Sequence, residues 1–120
     1  MINLHDKIDK INDFFSPKIV GEANGQYIKV VKILGKKVPW HNHVHEDESF
    51  YIIKGELSME IKGEKPFKMK KGDLFIVQKG VSHRVSSDNE CHIMLIEPKS
   101  TTHTGEVKST ITKTLEEQFE

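Results

Sequence analysis

Hydrophobic positions along this chain change their period near residue 25. Before it, Leu4, Ile8, Ile11 and Phe15 recur every three to four residues with charged residues between them. That spacing predicts a short helix with one apolar stripe, ended at Ser16-Pro17. So short a helix is not stable alone, and its stripe must pack on something. From Gln26 onward the period is two. Leu57, Met59 and Ile61 alternate with Ser58, Glu60 and Lys62, the pattern of a strand with one wet face. Further apolar runs occupy residues 27–34, 50–53, 74–77 and 92–96. Turn signals separate them at Gly35-Lys36, Lys54-Gly55, Lys62-Gly63-Glu64, Lys71-Gly72-Asp73, Lys79-Gly80 and Ser86-Ser87-Asp88-Asn89. Many short strands with glycine turns predict a sandwich or barrel rather than a βαβ sheet. After Pro98 the chain is rich in Thr, Ser and Lys and weakly patterned. This segment is expected to run over the surface, with residues 115–119 forming a final helical turn.

The chemistry is concentrated in His41-Asn42-His43, Glu48 and His83. Two histidines two apart on an extended strand share a face, because side chains alternate with period two. A carboxylate five residues on and a third imidazole forty residues further can close a divalent metal site. Imidazole with carboxylate suits Fe, Zn, Ni or Mn, and the lack of thiolates argues against a closed structural zinc. His43 and Glu48 would face opposite sides of an unbroken strand, so a turn or bulge within residues 44–47 must re-aim the carboxylate.

Composition narrows the field. Lys plus Arg balance Asp plus Glu at 18 each, which gives no long-range attraction to nucleic acid or to an anionic membrane. Arg84 is the single arginine, which also weighs against nucleic-acid binding. The lone Cys91 suits a reducing compartment. With a polar, mixed-charge amino terminus and no long apolar run, the expectation is a cytoplasmic protein without a membrane span.

Two spaced motifs carry a family resemblance. Gly35, His41-Asn42-His43, Glu48 and Gly55 resemble the first motif of the cupin superfamily; Gly72, Gln78-Lys79-Gly80 and His83 resemble the second. Residues 40–51 and 91–106 are similar to a group of small single-domain cupins. Gln78 and Ser87 depart from the pattern, which has proline and asparagine there; neither position is a ligand. The resemblance implies an all-β double-stranded β-helix, or jelly-roll barrel, over residues 25–98. A lead-in of residues 1–24 would precede it and an extension of residues 99–120 follow it. It also implies His41, His43, Glu48 and His83 as metal ligands, and a homodimer.

Other candidates rank lower. His45 is expected to face solvent or support a ligand, and Arg84 to make a salt bridge or subunit contact. Cys91 reads as a buried small residue, and His5, His92 and His103 as surface or satisfied core residues. Phe50, Ile52, Phe75 and Met94 are candidate pocket residues. The leading functional expectation is a metal-dependent enzyme, a dioxygenase or isomerase, acting on a small oxygen-bearing molecule. Glu48 would then be both ligand and proton acceptor. The alternative is a metal-loaded module that binds or senses a small molecule without turnover. A hydrogen-bonded polar cluster without metal is the bland reading of the same residues.

Overall fold

The computed structural model describes residues 1–105 and 107–119. Glu106, at the end of the second cupin-like run, lies outside the described residues, as does Glu120. The order is α1 (Leu4–Asp9), β1 (Lys18–Ala23), β2 (Gln26–Gly35), β3 (Glu48–Lys54), β4 (Glu56–Ile61), β5 (Phe67–Lys70), β6 (Leu74–Val77), β7 (His83–Pro98) and α2 (Leu115–Gln118). Strands β1-β2-β7-β3-β6 form one antiparallel sheet, and β4 pairs with β5 and β7 to form the other. The two sheets enclose a core built from Val31, Ile33, Ile52, Leu57, Met59 and Ile93, among others. This is the double-stranded β-helix expected from the motifs.

Strand β7 joins the two sheets. Residues 83–86 pair with β4, whereas Ser87 and residues 91–98 pair with β2. The polar run Ser86-Ser87-Asp88-Asn89, read from sequence as a turn, is where this one strand passes between sheets. Register is lost there, between Ile33 and Gly35 of β2. The buried Ser87 Oγ donates to the Ile33 carbonyl at 3.0 Å, so the irregular backbone is satisfied and a strand can bend without ending. Two strands escaped the sequence pattern altogether. Strand β5 is short, and β1 reaches β2 through Asn24-Gly25, both at positive φ, the two-residue hairpin turn.

Helix α1 is shorter than its apolar stripe. Asn3 caps it by accepting from the Asp6 N–H, and it ends at Lys10. Asn12-Asp13 then favours turn over helix, since short polar side chains compete for backbone groups. Ile8 and Ile11 pack on Val30 and Ile53 on the outside of the larger sheet. Phe15 instead swings at φ 56 into the barrel core, its N–H donating to the Lys32 carbonyl at 2.8 Å. The stripe is buried as expected, but on two different surfaces.

Gly55 and Gly72 both sit at positive φ (82° and 92°). A Cβ at Gly55 would lie 2.7 Å from the Glu90 carbonyl oxygen, whereas one at Gly72 meets open space. Gly72→Ala should therefore cost only the left-handed backbone penalty of about 1–2 kcal/mol. Gly55→Ala should cost clearly more, because β7 must move. Urea unfolding of both variants checks the ordering, and equal losses would contradict the close approach.

Candidate metal centre

The three histidines and Glu48 come from three separate stretches that the barrel pins together. His41 lies in the β2–β3 connection and makes a two-bond bridge with His83 at the start of β7. His41 N–H donates to the His83 carbonyl at 3.1 Å, and His83 N–H returns to the His41 carbonyl at 2.9 Å. The chain then bends at Val44 and His45, within the segment where a re-aiming turn is required. Two contacts hold that bend against the β6–β7 connection. Gly80 N–H donates to the His43 carbonyl at 2.8 Å, and Lys79 N–H donates to Asp47 Oδ1 at 2.8 Å. Glu48 opens β3 and turns inward with Phe50.

All four side chains are buried, and one donor atom from each lies within 4.8 Å of the others. His41 Nδ1 faces the Pro39 carbonyl at 2.8 Å, and His83 Nδ1 faces the Val81 carbonyl at 3.0 Å. A carbonyl only accepts, so both Nδ1 atoms carry the proton and both Nε2 atoms present a lone pair. His83 Nε2 points at Glu48 Oε1 across 3.2 Å, and His43 Nε2 approaches the same oxygen at 3.4 Å without hydrogen-bond geometry. Neither ring nitrogen of His43 has a hydrogen-bond partner. Lone pairs facing a carboxylate in a dry interior need a cation or a proton between them. Ligand atoms about 2.0–2.2 Å from a shared ion stand roughly 3–4 Å apart, so the donor set fits a divalent metal. The backbone carbonyls behind His41 and His83 orient the rings as outer partners do in metal sites.

Electrostatics agree with a neutral His41 beside an ionised Glu48. Burial, aided by His83, pulls His41 down to about 4. Burial by itself would raise Glu48, but the adjoining imidazoles of His43 and His83 outweigh it and hold the carboxyl well below its ordinary range. Behind Glu48 stands a second acid that sequence reading did not single out. Glu97 is buried, and is pushed well above its usual value by burial and by the Glu48 charge. Lys29 Nζ sits 2.7 Å from Glu97 Oε1 and is also bound by Gln118 Oε1.

The His41 shift has a consequence for stability. Its folded pKa lies below its unfolded one, so between pH 6.5 and about 4 the unfolded chain binds the extra proton. Its contribution is complete above the unfolded value and is lost as pH falls. Metal-free protein should lose about 2 kcal/mol between pH 7 and pH 5 from this group. The same shift means protons compete with metal at His41 only near pH 4, lower than a free imidazole would imply. Urea midpoints of metal-free protein across that range test the sign; stability rising toward pH 5 would refute it.

Of the expected pocket residues, Phe50 alone lines the cavity beside His41, Glu48 and His83 among the described residues. Ile52 is fully buried core, and Phe75 packs edge-on against Phe67 with ring centroids 5.0 Å apart. Met94 lies on the outer face of β7, in the cluster under α1. Strand parity is the reason: Ile93 and Leu95 point inward and line the cavity, so Met94 cannot. His45 is exposed and outside the cluster. Arg84 makes a salt bridge, Nε to Glu60 Oε2 at 2.6 Å, and lies over the Trp40 ring. Cys91 is buried and free, its thiol raised to about 12 by burial, which leaves it inert. His103 is the surprise, since it lines the same cavity as His41, Glu48 and His83. It arrives on the C-terminal segment, which buries Thr101, Thr104, Ile111 and Gln118. Sequence reading had laid that segment over the surface.

Residues 31–97 match the Cupin_2 family, described as a cupin domain, and the chain belongs to that family. Among solved structures, a cupin-2 domain containing protein from Shewanella frigidimarina is 33% identical. It superposes with a TM-score of 0.79, covering 82% of this chain and 95% of that one. The uncharacterized protein YdbB of Bacillus subtilis is 29% identical over 57% of this chain and 59% of its own length. An acireductone dioxygenase of Tuber melanosporum is 34% identical over 65% of this chain and 43% of that protein. The chain thus spans about half the length of the curated relatives it matches.

Proposed function

We propose that this cupin is a metal-dependent enzyme of the dioxygenase or isomerase kind, acting on a small oxygen-bearing molecule. The observation that carries this is the unbalanced donor set. His83 Nε2 presents a lone pair to Glu48 Oε1 at 3.2 Å, and His43 has no hydrogen-bond partner at either ring nitrogen. His41, His43, Glu48 and His83 would hold the ion. Iron is our first choice of metal, with the similarity to a dioxygenase in support. A divalent ion so held supplies Lewis-acid polarisation of a bound oxygen, and iron adds redox chemistry with dioxygen.

The chain's own residues set the conditions. His41 stays neutral and ready to ligate, and Glu48 stays ionised, the state required both to hold a cation and to accept a proton. Phe50, Val31 and Leu95 wall the cavity with apolar surface that excludes water. Metal analysis of protein purified without chelator or nickel affinity tests the reading, followed by oxygen uptake with phenols, enediols and keto acids. Close to one iron per chain with turnover is expected. A chain that takes up no divalent metal overturns the reading, and metal with ligand binding but no turnover identifies a binding module instead.

We also propose a homodimer. Strand β6 is an edge of the larger sheet, and its Leu74 and Ile76 are exposed. Unpaired edges with apolar side chains invite a second copy. Light scattering at micromolar concentration should give twice the chain mass, and a strict monomer would refute it.

A further inference from the structure

The sequence motifs account for the metal ligands but not for what stands opposite them. His103 lies outside both motifs, yet it lines the cavity that contains His41, Glu48 and His83. One of its ring nitrogens is already engaged. The Lys113 N–H donates to His103 Nδ1 at 2.8 Å, so that nitrogen is the acceptor and Nε2 carries the ring proton. No partner for Nε2 is found among the described residues. The segment that carries His103 is docked against the ligand loop. Gly105 lies so close to Asn42, between His41 and His43, that a Cβ would overlap the Asn42 carbonyl. Ser100 Oγ donates to Glu46 Oε2 at 2.9 Å on the same loop.

The rest of the cavity says what kind of molecule fits. Its free space amounts to about 40 Å³, room for about three water molecules. Its other walls are apolar, among them Phe15, Val31, Val38, Val85 and Leu95. No free cation faces it among the described residues. Lys29 is committed to Glu97 and Gln118, and Arg84 to Glu60 on the outside. A carboxylate or phosphate at the end of the substrate away from the ion would be buried among apolar walls without a counter-ion, which is strongly unfavourable.

We propose, on the reading that the site holds a metal, that His103 is a substrate-binding residue. Its Nε2–H donates to an oxygen of a small molecule whose body, beyond the atoms that bind the ion, is apolar and uncharged. The C-terminal segment thus sets specificity while the barrel holds the ion. Burial lowers His103 to about 4, with Lys29 the next cause, so the ring stays a neutral donor at physiological pH.

Two hydroxamates with one metal-binding head test this: propionohydroxamic acid, with an apolar end, and succinohydroxamic acid, with a carboxylate there. Calorimetric titration of zinc-loaded protein should show the apolar probe binding at least about 30-fold more tightly, the unpaired buried charge being the cause. His103→Phe keeps the ring but removes the donor, and should weaken the apolar probe by about 10-fold, the scale of one hydrogen bond. His103→Gln restores an N–H donor and should recover most of that loss, with zinc content equal in all three proteins. Equal affinity for the two probes, or an unchanged affinity in His103→Phe, overturns the proposal while leaving the metal reading intact. Failure of the unaltered protein to take up zinc overturns both.

Discussion

His83→Ala is expected to strip the centre of its metal while leaving the barrel folded. His83 contributes a lone pair at Nε2, and its ring is held by the Val81 carbonyl at 3.0 Å. Loss of an outer hydrogen-bond partner in a metal site typically costs 10–100-fold in affinity, so loss of the ligand itself should exceed roughly 100-fold. His41→Ala should behave alike, because Pro39 orients that ring in the same way at 2.8 Å. Glu48→Gln keeps the shape but removes the anion, and should weaken binding with little loss of fold. The apolar core around these residues does not depend on the imidazoles. His45→Ala should leave metal content unchanged, since His45 is exposed and outside the donor cluster. Elemental analysis of the four purified variants, with circular dichroism to confirm folding, is the measurement. Full occupancy in His83→Ala, or loss confined to His45→Ala, would remove the basis of the site.

That cluster was legible in the sequence because the motif fixes both residue type and spacing. The odd step from His43 to Glu48 even required the bend that the structure has at Val44 and His45. Alternation located β4, and continuous apolar runs located β2, β3 and β6. What escaped was whatever depends on partners distant in the chain. Ser86-Ser87-Asp88-Asn89 has turn composition, and only the Ile33 carbonyl accepting from Ser87 makes it a strand crossing. Phe15 keeps the helical spacing of Ile8 and Ile11, yet the barrel interior offered it a better burial site than the helix did. His103 has no local signal at all, because its partner Lys113 and its cavity are both supplied by tertiary packing.

Two further interior residues carried a usable signal. Lys29 shares strand parity with Val31 and Ile33, and Glu97 with Ile93 and Leu95, so period two alone points both charges inward. A lone charge so placed would argue against the register. One of each sign, on the paired strands β2 and β7, argues instead for a buried ion pair. The structure has that pair, with both side chains at 3% exposure or less.

Lys29→Met is expected to be among the most destabilising single changes in the chain. It leaves Glu97 buried beside Glu48 with no cation, and orphans the Gln118 carbonyl oxygen that ties α2 to the barrel. Breaking a buried pair from one side typically costs about 3–5 kcal/mol. Glu97 can escape part of this by binding a proton, since its pKa is already raised by burial and by Glu48. The loss should therefore shrink as pH falls. Replacing both partners, Lys29→Met with Glu97→Leu, removes the stranded charge and should recover most of the stability, because apolar isosteres of a buried pair are often neutral. Urea midpoints of the two single variants and the double variant form the test. A double variant as unstable as Lys29→Met would mean that the lysine's packing, rather than its charge, is what the barrel needs.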